Sequence, residues 1–229
     1  VPAEAEIVIE GRILPKVREP EGPFGEFPQT YGSRSDKHVI EVDVVTHRRN
    51  AFYHTILGGG LEHLLLGAIP REATILAHLR RSFVNVLDVH FGLGGVGRYH
   101  LYIKIRQRQP GEARNIMLAA MSGHYDVKQV VVVDEDVDLH KPGEVEWAIA
   151  TRFQADKDLI VISGALGSKL DPSAEDSGIS AKMGLDATVP FGAEPFRYLR
   201  IRVPGEETVV VDDYRVALPD HELNTALAD

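Results

Sequence analysis

Two glutamates five positions apart could do acid–base chemistry, in the stretch Glu19-Pro20-Glu21-Gly22-Pro23-Phe24-Gly25-Glu26-Phe27. Glycine opens backbone conformations closed to other residues and proline fixes φ, so this loop sets its own path. Phe24 and Phe27 can anchor the path in apolar surroundings, which would hold Glu21 and Glu26 in place. A carboxyl group kept among apolar neighbours and beside another carboxylate is harder to ionise. That is the state of a glutamate that donates a proton near neutral pH. An acidic surface turn is the other reading of the same residues, and both stand on this stretch alone.

Other groups offer less. Asp134, Glu135, Asp136 and Asp138 close an apolar run, at a strand end where α/β proteins often place function. Four carboxylates could hold Mg2+; solvated loop charges and helix capping use the same residues. The 10 histidines show no paired ligand spacing, so no metal site is expected in this chain. Gly92-Leu93-Gly94-Gly95-Val96-Gly97 matches a dinucleotide fingerprint in letters only. The fingerprint needs a helix next, whose N-terminus meets the pyrophosphate, and here an alternating segment from Tyr99 follows. A glycine-rich link between two strands is the expectation. Gly164 to Lys169 lacks P-loop spacing.

The elements that must position these residues follow from periodicity. Residues 7–13 and 37–47 read as strands around a Gly/Pro-rich loop. Residues 55–81 read as mainly helical, interrupted at Gly58-Gly59-Gly60, with Pro70 and Glu72 suited to a first turn. Residues 84–91 and 99–107 are strand candidates and 112–121 a helix. Residues 128–134 and 158–163 read as strands buried on both faces, with a helix at 144–153 between them that carries Trp147 towards the core. Strand, helix, strand predicts a βαβ unit in a mixed three-layer domain. Residues 197–203 and 208–211 are late strand candidates, and 221–229 a helical tail.

The chain has 229 residues, 44% of them hydrophobic, which is enough for one large or two small domains. A net charge of −9 argues against nucleic acid and anionic membranes, which need clustered Lys and Arg. With no cysteine there is no disulfide, thiolate nucleophile or Cys-based metal site. No apolar run approaches the roughly 20 residues of a membrane span, and no secretory signal opens the chain, so a cytoplasmic protein is expected. The chain starts at Val1 and runs almost at once into strand-like sequence, so partner strands are expected in a missing N-terminal part.

Several ordered motifs carry a resemblance. Pro2-Ala3-x-Ala5-Glu6-Ile7-Val8-x-Glu10-Gly11 and Glu21-Gly-Pro-Phe-Gly-Glu26 resemble the middle of UbiD-type decarboxylases. Val132 to Asp138, Val145 to Arg152, Leu170-Asp171-Pro172-Ser173 and Lys182 to Thr188 resemble further segments of that family, in order. The resemblance runs from about residue 1 to 190. It implies the C-terminal half of an enzyme that binds prenylated FMN, with Mn or Mg and K in the full-length protein. Such an enzyme reversibly decarboxylates an aromatic acid (hydroxybenzoate-type acids included) or an α,β-unsaturated acid, releasing or taking up CO2.

By motif match, Glu26 corresponds to the proton donor and Glu21 to its partner, which pairs with an arginine absent from this chain. Lys128 corresponds to a lysine near the flavin phosphate; an ordinary strand-start lysine is the alternative. Ile56 and Leu57 correspond to a substrate-pocket segment, or else to a helix start. After the loop the chain reads Pro28-Gln29-Thr30-Tyr31 where the family often has T-G-Y-Y. The implied fold is α/β, α+β overall. It comprises a remnant of a split β-barrel flavin domain (1–50), a helical linker (51–83) and a three-layer α/β/α oligomerisation domain with a tail (84–229). A homo-oligomer, dimer or hexamer, is implied. The competing expectation is that this chain alone is an inactive assembly domain that binds no flavin.

Overall fold

The computed structural model describes residues 1–201, 203 and 205. Residues 1–193 form one compact unit, and the described residues from Glu194 onward belong to a second. In the first unit, β1 (Ile7–Glu21) and β2 (Ser35–His47) form an antiparallel two-stranded ribbon. No closed barrel is present among the described residues. β1 is longer than its alternating core predicts. Its register slips between Ile13 and Arg18, around Pro15 and a left-handed Lys16 (φ 63°), and then resumes to Glu21 opposite Ser35. Ile9, Ile13, Ile40 and Val42 are exposed on this ribbon.

The remaining strands form one mixed sheet. They are β3 (Val86–Phe91), β4 (His100–Ile105), β5 (Gln129–Asp134), β6 (Leu159–Leu166) and β7 (Ile179–Asp186), in the order β3-β4-β5-β7-β6. α1 (Leu61–Arg80) and α2 (Glu112–Gly123) cover one face, packing Ile75, Leu79, Ile116 and Met117 against Leu101, Ile103, Val130 and Val132. α3 (Pro142–Arg152) covers the other with Val145 and Ala148 against Val131 and Val133. The structure is therefore mixed α/β with a three-layer α/β/α arrangement. β5 alternates its valines between two cores, which is why it reads as an unbroken apolar run.

Four expectations need correction. The strand that follows α3 is not the parallel neighbour of β5, which pairs in parallel with β4, across α2, and with β7. β7 lies between β5 and β6, and β6 is an antiparallel edge strand with Val161 exposed rather than a buried one. Residues 55–60 are not helical, and α1 runs unbroken through Pro70, which sits mid-helix instead of in a first turn. Pro70 is exposed, and having no N–H it cannot bond to the Leu66 carbonyl. Residues 197 and 198 lie in a short 3-10 turn (Pro195–Tyr198), not a strand. The strand expected at 208–211 and the tail at 221–229 lie outside the described residues. The glycine-rich link connects antiparallel β3 and β4, as its flanking alternation predicts, and carries a short 3-10 turn (Leu93–Gly95). Among the described residues no helix is long and apolar enough to cross a membrane.

Candidate functional site

The acidic loop is folded on itself and docked on the α/β part of the chain. Glu26 N–H donates to the Thr30 carbonyl, Gln29 N–H to that of Glu26, and Gly32 N–H to that of Phe24, all at 3.0 Å. Phe27 is only 2% exposed. Its ring meets Tyr99 edge-on at 5.4 Å, and the Arg98 guanidinium lies over it at 3.9 Å. Leu64 of α1 and Val96 of the β3–β4 turn complete the pocket. Of the two phenylalanines expected as anchors, Phe27 serves; Phe24 is half exposed.

Glu26, next to that anchor, is partly buried and lines a cavity of about 190 Å3 with Tyr31, Ser33, Lys169 and Asp171. Glu21 is exposed at the end of β1. No hydrogen bond or ion pair joins the two glutamates among the described residues.

Ile56 and Leu57 lie in the extended segment before α1, both exposed. Glycine contacts bring this segment to the loop. Gly58 packs on Gly25 so closely that a Cβ on it would collide with the Gly25 carbonyl, and Gln29 Nε2 donates to the Gly59 carbonyl at 3.1 Å. Lys128 bonds to Asp171, which lines the same cavity as Glu26. Its Nζ donates to Asp171 Oδ2 and to Ser173 Oγ, both at 2.6 Å. Burial acts to raise the Asp171 carboxyl, but the bonds from Lys128 and Ser173 outweigh it and hold the carboxyl below its ordinary value.

The carboxylates after β5 are structural. Arg152, with 1% of its side chain exposed, bridges Asp134 at 3.1 Å and Asp136 at 2.6 Å. Arg106 takes Glu135, and Lys141 takes Asp138. Burial, foremost, raises the Asp134 carboxyl. Among the described residues no group of three or more His, Cys, Asp or Glu side chains is arranged to hold a metal ion.

Three polar residues were not anticipated. Arg71, Arg98 and the buried Asp126 line a cavity of about 390 Å3 beside Phe27. They come from α1, the β3–β4 turn and the approach to β5. Their one trace in the sequence is Arg98, at the end of the glycine-rich link.

Comparison with known proteins gives a consistent result. A family model described as the 3-octaprenyl-4-hydroxybenzoate carboxy-lyase C-terminal domain matches residues 64–187, and the Rift-related domain of the same carboxy-lyase matches residues 1–61. An anhydromevalonate phosphate decarboxylase of Methanothermobacter thermautotrophicus is 42% identical over 194 residues, 84% of this chain and 46% of that protein. A gallate decarboxylase of Lactiplantibacillus plantarum is 35% identical over 210 residues, 82% of this chain and 43% of that one. The solved structure of the UbiD-class enzyme HmfF from Pelotomaculum thermopropionicum, in complex with FMN, superposes with a TM-score of 0.89 at 50% identity. That match covers 94% of this chain and 48% of the other. The chain thus spans less than half the length of these relatives.

Proposed function

The chain belongs to the UbiD family of carboxy-lyases, and from that premise we propose that it forms part of a prenylated-FMN-dependent decarboxylase of aromatic or α,β-unsaturated acids. The observation that carries this reading is the seat of Glu26, partly buried at a cavity wall and held by the Phe27 anchor one residue away. When the bond to the substrate carboxylate breaks and CO2 leaves, an electron pair remains on the substrate carbon. Glu26 in its acid form delivers a proton to that carbon, and water restores the carboxyl afterwards. In the reverse direction the Glu26 carboxylate removes the same proton. Glu21, at the strand end that leads into the loop, is its partner.

Bound prenylated FMN supplies the electron sink that makes CO2 loss feasible. In this chain Lys128 fits a contact to its phosphate. Two of the three ammonium N–H donors go to Asp171 and Ser173, the third has no hydrogen-bond partner among the described residues, and 34% of the side chain is exposed. The described residues hold no cluster for Mn, Mg or K. Ile56 and Leu57, held to the loop through Gly58, offer apolar surface to a substrate ring.

The test is Glu26→Gln in the flavin-loaded protein. Turnover should fall by about 10²–10⁴, the usual contribution of a positioned acid, with thermal stability unchanged. Full turnover in this variant would remove Glu26 from the mechanism.

A further inference from the structure

The Arg98 guanidinium lies between α1 and the acidic loop. On one side it covers the Phe27 ring, 3.9 Å from the centroid. On the other it meets Gly67 of α1, where a Cβ would come within 2.6 Å of Arg98 Nε and 2.7 Å of Nη2. Glycine at that position leaves the guanidinium its room. The Nε atom is buried without a hydrogen-bond partner. Charges around it pull both ways. Burial, and then the adjacent Arg71, push the guanidinium below its ordinary value, while Asp126 and Glu26 act in the other direction. The contact that fixes the guanidinium is therefore the ring face. A cation over an aromatic face is attracted by the ring quadrupole, and more strongly where water is excluded. Phe27 is buried, with Tyr99, Leu64 and Val96 as the other walls of its pocket.

We propose that Arg98 is a positioning residue of the reaction: it clamps Phe27 against α1 and thereby fixes where the neighbouring Glu26 delivers its proton. The inference rests on the decarboxylase reading of Glu26. The Glu26 backbone is tied within its own loop, to Thr30 and Gln29. Its position therefore follows the loop, and the loop follows the Phe27 ring. Proton transfer needs the donor within hydrogen-bond reach of the receiving atom, and a small displacement of a donor costs rate. Arg98 acts on that displacement from the far side of the ring, without taking part in the proton transfer itself.

Native-state hydrogen exchange and steady-state kinetics on three variants of the flavin-loaded protein test this. In Arg98→Met, protection of the Glu26, Gln29 and Gly32 amides should fall about ten- to thirty-fold, the size of a desolvated cation–π contact. Its kcat should fall about ten-fold with KM little changed. Arg98→Lys keeps the charge and should recover part of both losses. Gly67→Ala retains Arg98 and Phe27, but its Cβ pushes the guanidinium off the ring. It should loosen the same three amides while thermal stability holds or rises, because alanine is the better helix former. A merely structural arginine would not separate those two readouts. Unchanged loop protection in Arg98→Met or in Gly67→Ala would overturn the inference, and so would the absence of any recovery with lysine. A KM that rises at constant kcat would make Arg98 a substrate ligand and overturn it too. If Arg98→Met folds poorly, Gly67→Ala decides. Exchange needs no turnover, so this inference and the reading of Glu26 fail separately.

Discussion

Removal of the Phe27 ring should release the acidic loop before it unfolds the protein. The ring is 2% exposed and touches Tyr99, Arg98, Leu64 and Val96. Truncation of a buried phenylalanine to alanine costs about 3–5 kcal/mol, from lost transfer energy and the cavity left behind. At about 1.4 kcal/mol per factor of ten, the opening equilibrium of the loop should rise by about two to three and a half powers of ten. The loop is short and its other ties are few, so the cost should appear as local opening.

Native-state hydrogen exchange reads this directly. The amides of Glu26, Gln29 and Gly32 are bonded within the loop, to Thr30, Glu26 and Phe24. Their protection should drop by that factor in Phe27→Ala, while the amides of β5 change far less. A loss below about ten-fold at the three loop amides, in a folded variant, would mean that Phe27 does not hold the loop. An equal loss in β5 would place Phe27 in the global core and refute the idea of a separate anchor.

Two further outcomes follow from the same geometry. Gly58→Ala puts a Cβ into the Gly25 carbonyl, so the pre-helix segment should part from the loop at a cost of about 1–3 kcal/mol. A thermal melt and loop exchange unchanged from the parent would show that the close approach has no consequence. Lys128→Met leaves the buried Asp171 carboxylate with Ser173 alone. The loss at neutral pH should be about 2–3 kcal/mol, below the value for a fully buried pair because the lysine is partly exposed. The Asp171 carboxyl lies below its ordinary value in the folded state. Its contribution is therefore complete above the unfolded value and disappears as pH falls through the folded one. Urea unfolding should show the gap between parent and variant closing in acid, and a gap independent of pH would contradict the pairing.

Much of the architecture was legible because it rests on local pattern. The Val130 to Val133 run is apolar on both sides since helices cover both faces, and a reader needs no coordinates to see that. The alternation from Tyr99 onward identifies a strand and excludes the helix that a dinucleotide site requires. β7 was missed because its sequence hides its burial. Lys182 in that strand is 6% exposed and donates to the Tyr125 and Val127 carbonyls, a role that its residue type does not announce. The strand order was missed for a related reason: which strand inserts between two others depends on pairing energies across the whole sheet, not on spacing along the chain.

The acidic loop and its two glutamates were determined by the sequence itself. Gly and Pro dictate a loop's path through short-range sterics, and Phe offers candidate anchors through hydrophobicity. Those properties belong to the residues and travel with them. Only the tertiary structure decided which phenylalanine is the anchor, that Gly58 brings Ile56 and Leu57 to the loop, and that Arg71, Arg98 and Asp126 share one cavity. The net charge of a site is a sum over residues distant in sequence and near in space. Its energetic weight is set by how much water the packing removes, so that balance does not exist until the chain has folded.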